Sequence, residues 1–151
     1  MYRSLLHLFF IFSLVITVLG VAVPREADEI EVDSEVLEKR LQVSGTHSGD
    51  MTFYDVGLGA CGWTDSDSEL VAAVSHIMFD QFPGYKGGNP NKNPVCGKHA
   101  KITYKGKSVT VKIVDRCPGC ATGDLDLSPS AFSKLANKDV GRLHGAKWTF
   151  Q

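Results

Sequence analysis

Residues 114–128 read Val-Asp-Arg-Cys-Pro-Gly-Cys and then, two residues on, Gly-Asp-Leu-Asp-Leu-Ser. Three carboxylates, Asp115, Asp124 and Asp126, thus fall close together between an apolar strand-like run and a helix start. Carboxylates held at the ends of rigid elements can grip polar polymers or move protons for their cleavage. The same positions also suit a plainer task. An aspartate before a turn or near a helix N-terminus caps backbone N–H groups.

Cys117 and Cys120 share this stretch, and Cys61 and Cys96 complete an even set of four. In a secreted chain such a set reads as two disulfides, with three connectivities open. Zinc is not expected. Only Cys117 and Cys120 have ligand spacing, and His47, His76, His99 and His144 are scattered without a paired motif. A Cys-Pro-Gly-Cys turn can be redox-active, but no thioredoxin-like βαβ pattern surrounds this one. No cofactor is expected.

The start of the chain reads as a secretory leader. Arg3 precedes an apolar run over residues 5–23, and Gly20-Val21-Ala22 offers small residues for cleavage. Residues 1–22 are therefore read as a signal peptide, a retained anchor being the rarer alternative. Residues 23–40 carry Glu26, Asp28, Glu29, Glu31, Asp33, Glu35 and Glu38, too much like charge for independent folding. They end in Lys39-Arg40, which reads as the dibasic cleavage site of a propeptide. Removing residues 1–40 changes the net charge from −1 to +2, with 12 basic and 10 acidic groups left. That surface is only weakly basic, which suits mild attraction to acidic polymers and argues against nucleic-acid partners. No stable membrane association is expected after processing.

Residues 41–151 make one domain with a modest core. Met51-Thr52-Phe53-Tyr54 is strand-like, and Gly57, Gly59 and Gly62 around Cys61 mark a tight loop. Ser66 and Glu69 resemble a capping box, with Leu70, Val74, Ile77 and Met78 at helical spacing, which predicts a helix ending before Phe82. Residues 84–94 read as an exposed loop. Ala100, Ile102 and Tyr104, then Val109, Val111 and Ile113, alternate with polar residues and predict a hairpin. Ser128 and Pro129 predict the start of a short helix through Phe132 and Leu135. Residues 146–150 form a final strand in which Trp148 packs into the core. Short strands with two short helices fit a compact β-barrel.

Thr52-Phe53-Tyr54, Gly59-Ala60-Cys61-Gly62, Val114-Asp115-Arg116-Cys117-Pro118 and Asp126-Leu127-Ser128 resemble, in order, the motifs of expansins and of the single-domain loosenins of fungi. The Asp-Arg and Asp-Leu-Ser pieces are also similar to the bacterial rare lipoprotein A domain. The resemblance spans nearly all of residues 45–151. It implies a mainly β fold, a six-stranded double-psi β-barrel with short helices and a shallow polysaccharide groove. It further implies pairing of Cys61 with Cys96 and of Cys117 with Cys120, and a fungal, secreted protein.

By the same resemblance, Thr52, Tyr54, Asp115 and Asp126 match groove positions, with Tyr54 and Trp63 as aromatic platforms for a sugar ring. Asp126 matches the general acid of glycoside hydrolase family 45. Inverting hydrolysis also needs a base roughly 6.5–9.5 Å from the acid. Asp55, the candidate base, follows Tyr54 one position early, where expansins usually have glycine, and a one-residue shift in a strand turns a side chain to the other face.

The leading expectation is a secreted protein that binds cell-wall polysaccharide (cellulose, chitin or another β-glucan) and loosens it without hydrolysis. A second is a protease inhibitor or host-interaction protein using residues 84–94. A third is a weak glycoside hydrolase or lytic enzyme with Asp126 as its acid.

Overall fold

The computed structural model describes residues 43–151, together with Ser34 and Leu37. The expected signal peptide, and the propeptide apart from Ser34 and Leu37, lie outside the described residues. Six strands follow in order: β1 (His47–Phe53), β2 (Val71–Ser75), β3 (His99–Tyr104), β4 (Lys107–Cys117), β5 (Leu125–Leu127) and β6 (Leu143–Phe150). Within residues 47–151 the α-helices α1 (His76–Asp80) and α2 (Pro129–Leu135) accompany them. Among the described residues no helix is long and apolar enough to cross a membrane.

The strands close into a barrel in the order β1-β5-β2-β4-β3-β6. The pairs β1–β5 and β2–β4 are parallel and the other four antiparallel. This is the six-stranded, disulfide-linked barrel that the motifs imply. Both expected disulfides are formed, Cys61–Cys96 and Cys117–Cys120.

The β3–β4 hairpin follows from its alternation. Ala100, Ile102, Val109, Val111 and Ile113 are buried, while Lys101, Thr103 and Thr110 are exposed. Lys105 and Gly106 both have positive φ (45° and 82°), as a two-residue hairpin turn requires. Helix α2 begins where expected, the Ala131 N–H donating to the Ser128 hydroxyl at 3.2 Å. Its Phe132 ring meets Phe53 of β1 at 4.9 Å between centroids. Trp148 is fully buried, as expected, and donates its indole N–H to the Gly123 carbonyl at 2.7 Å.

The helix predicted from the Ser66–Glu69 box through Met78 is corrected. Ser66 and Glu69 do bond, Ser66 N–H donating to Glu69 Oε2 at 2.7 Å, but they close only a turn. Val71–Ser75 is a strand held between β4 and β5, and the helix is confined to His76–Asp80. All five residues of the strand are buried, so it shows no alternation, and the helical spacing of Leu70, Val74, Ile77 and Met78 is accidental. Strands β1 and β6 also extend further towards their N-termini than expected.

Candidate functional site

The parallel pairing of β1 and β5 sets Thr52 opposite Asp126. The Thr52 hydroxyl donates to Asp126 Oδ1 at 2.6 Å, and both residues are half-buried. Burial lifts the Asp126 carboxyl above its ordinary pKa. The Thr52 hydrogen bond and Arg142 oppose that rise, and the Asp115 charge adds to it. Asp126 thus offers a half-buried carboxyl that can accept hydrogen bonds from sugar hydroxyls.

Tyr54 follows β1 and is anchored by its N–H, which donates to the Leu127 carbonyl at 3.1 Å. Its phenol is pushed well above the usual value, first by burial and then by Asp115, Asp126 and Asp65. The hydroxyl thus stays neutral among carboxylates and can act as a donor. Asp115, on β4, accepts from the Ala60 N–H at 2.7 Å and from the Arg116 N–H at 2.8 Å through one oxygen, Oδ1. Gly59 permits that approach, because a Cβ there would collide with the Val114 carbonyl.

Asp124, the third aspartate of the cluster, performs the structural task. Its two oxygens accept from the N–H groups of Asp50 at 2.8 Å and Ala121 at 3.1 Å, fixing the turn into β5. A concavity of about 330 Å³ opens here, lined by Thr52, Asp124, Asp126, Arg142 and the Cys117–Cys120 turn. Cys117, Cys120 and Asp126 place possible ligand atoms within 4.8 Å of one another, but both sulfurs belong to the disulfide.

Tyr54 and Asp115 interact electrostatically with Asp126 without lining this concavity, and Trp63 and Asp55 lie apart from it. Trp63 is 42% exposed in the loop that follows Cys61, and Lys112 Nζ sits 4.9 Å from its ring centroid. Lys112 also pairs with the buried Asp65 at 3.3 Å, which connects the Trp63 platform to the surroundings of Tyr54. Asp55 is exposed. Two residues escaped the sequence reading. Arg142 lines the concavity, and Asp50 holds it through an ion pair at 3.4 Å. The one available signal was a charge immediately before the final apolar strand.

A family model described as lytic transglycolase matches residues 71–145. The papain inhibitor of Streptomyces mobaraensis is 37% identical over 106 residues, covering 68% of this chain and 70% of that protein. The chain belongs to the expansin-like double-psi β-barrel family. The solved Streptomyces papain inhibitor superposes on this expansin-like barrel with a TM-score of 0.62 at 35% identity, over 70% of this chain and 93% of that one. A mutant expansin of Clavibacter michiganensis, solved in complex with cellohexaose, gives a TM-score of 0.55 at 26% identity, over 70% of this chain and 50% of that one. The Allergen Asp f 7 homolog of Arthroderma benhamiae is 37% identical over 117 residues, covering 68% of this chain and 38% of that protein. The chain thus spans well under half of that relative and half of the expansin.

Proposed function

We propose that this expansin-like barrel acts outside the cell, binding a neutral wall polysaccharide in the groove of Thr52, Tyr54, Asp115 and Asp126 and loosening it without hydrolysis. The observation that carries this reading is the Thr52–Asp126 pair in an open, polar concavity, on a barrel similar to an expansin solved with cellohexaose. The Asp126 carboxylate, a neutral phenol and the Thr52 hydroxyl together offer both donors and acceptors to sugar hydroxyls. Asp55, the candidate base, is exposed and outside the concavity, which favours binding over inverting hydrolysis. The two disulfides fit an oxidising, extracellular setting.

The likeness to the papain inhibitor, over 93% of that chain, favours a second reading, inhibition of a secreted protease. Residues 84–94 would make the contact. They are exposed apart from the half-buried Tyr85 and the buried Asn93, whose side-chain amide donates to the Phe79 carbonyl at 2.6 Å and braces the loop.

Depletion of the purified protein by insoluble cellulose, chitin and β-glucan separates the readings, with Asp126→Asn and Tyr54→Ala run alongside and papain inhibition assayed on the same samples. Selective binding lost in both variants supports the groove. Inhibition of papain without glycan binding, abolished by changes in residues 84–94, supports the second reading.

A further inference from the structure

Charge is segregated along this chain. Residues 81–114 hold seven lysines and no aspartate or glutamate, and residues 140–151 are likewise free of acids. These segments supply β3, most of β4 and all of β6, and β3 lies between the other two in the barrel. The outward face of β3 presents Lys101 and Thr103, and that of β6 presents Lys147 and Thr149. Register sets Lys101 against Thr149 and Thr103 against Lys147. The two lysines therefore stand on a diagonal, as neighbours about 7–8 Å apart or a little less.

Lys105, in the hairpin turn, adds a third ammonium 5.2 Å from the Tyr104 ring centroid. Together these six residues line much of a concavity of about 710 Å³. His144 is at its rim but is paired with Asp50 Oδ2 at 2.9 Å, so it is not counted among the cations. Among the described residues no carboxylate pairs with Lys101, Lys105 or Lys147.

Scattered surface lysines need no ligand to explain them, since they also keep a barrel soluble. Here three lie unneutralised in one hollow, interleaved with threonine hydroxyls and bordered by an aromatic ring. We propose that this face is a second binding surface, distinct from the Asp126 groove, for a polyuronate chain. Repeating carboxylates meet the lysines, ring hydroxyls meet Thr103 and Thr149, and the Tyr104 ring offers an apolar face to a sugar. The groove, with Asp115, Asp124 and Asp126, repels such a chain, so the two surfaces take ligands of different charge.

Titration of the purified protein with polygalacturonate tests this, with a neutral β-glucan and inorganic polyphosphate as comparison ligands. Polygalacturonate binds at low ionic strength and weakens as salt shortens the screening length from about 30 Å to about 8 Å. The Lys101→Gln/Lys147→Gln double variant binds it about fivefold or more weakly, losing two exposed charge contacts. The Lys101→Arg/Lys147→Arg variant retains binding. A melting curve confirms that each variant is folded. Absence of polygalacturonate binding at low salt overturns the proposal, as does equal binding by the Gln double variant. Polyphosphate binding as tight as that of polygalacturonate also overturns it, by showing a surface that responds to charge without sugar.

Discussion

Thr52 and Asp126 stand opposite each other on parallel strands, joined by a 2.6 Å hydrogen bond from hydroxyl to carboxylate. The bond fixes one oxygen of Asp126 and leaves the other for a ligand. Thr52→Val removes the donor while keeping the shape. Since that bond lowers the Asp126 pKa, its loss lets the pKa rise further, which carboxyl NMR titration reads directly. Glycan binding should fall about tenfold, the scale of one hydrogen bond to a charged group, and Thr52→Ser should restore it.

Asp126 carries a pH signature of its own. Burial raises its folded pKa above the unfolded value of 3.8, so between those two values the folded state binds more protons than the unfolded chain. Ionisation of this group therefore opposes folding above the folded pKa, and the penalty disappears as pH falls below 3.8. Asp126→Asn accepts the Thr52 hydrogen bond without the charge. It should melt higher than the wild type near pH 7, with the gap closing at about pH 3, while losing glycan binding. Equal melting temperatures at both pH values would contradict this account.

The disulfides should differ in worth. Cys61–Cys96 spans 35 residues and Cys117–Cys120 only 3. Loop-closure entropy predicts losses of about 4 and about 2 kcal/mol when each is replaced by an alanine pair. Urea denaturation of the two variants measures the order. The short bridge borders the concavity, so its removal should weaken glycan binding more than its stability loss suggests.

Gly49 and Gly123 are packed backbone to backbone where β1 passes the turn into β5. A Cβ on Gly49 would collide with the Gly123 carbonyl, and Gly123 itself has φ of 90°. That carbonyl also accepts the Trp148 indole N–H. Gly49→Ala should destabilise the barrel by about 1–3 kcal/mol. Indole fluorescence should shift at the same time, because Trp148 loses its fixed acceptor.

How far the sequence disclosed this molecule depends on how each element is buried. Strands β3 and β4 and helix α2 each bury one face, so alternation and the Ser128–Pro129 cap revealed them. Strand β2 is covered on both faces and had no periodicity to read. Strand β5 is three residues long, too short for any pattern, although it carries Asp126. The groove aspartates were visible because they share one dense motif with Cys117 and Cys120. Arg142 was not, since it stands just before β6 and beyond helix α2, and only the closing of the barrel brings it to the same concavity as Asp126.

The closed strand order has one further consequence. Every strand has a hydrogen-bonded neighbour on both sides, so the barrel offers no free edge to an incoming segment. Partners that recognise proteins by adding a strand to a sheet find no template here. Any protein that captures this one must do so through loops and side chains. The same closure denies neighbouring copies a route to edge-to-edge aggregation at the high local concentrations of a crowded surface.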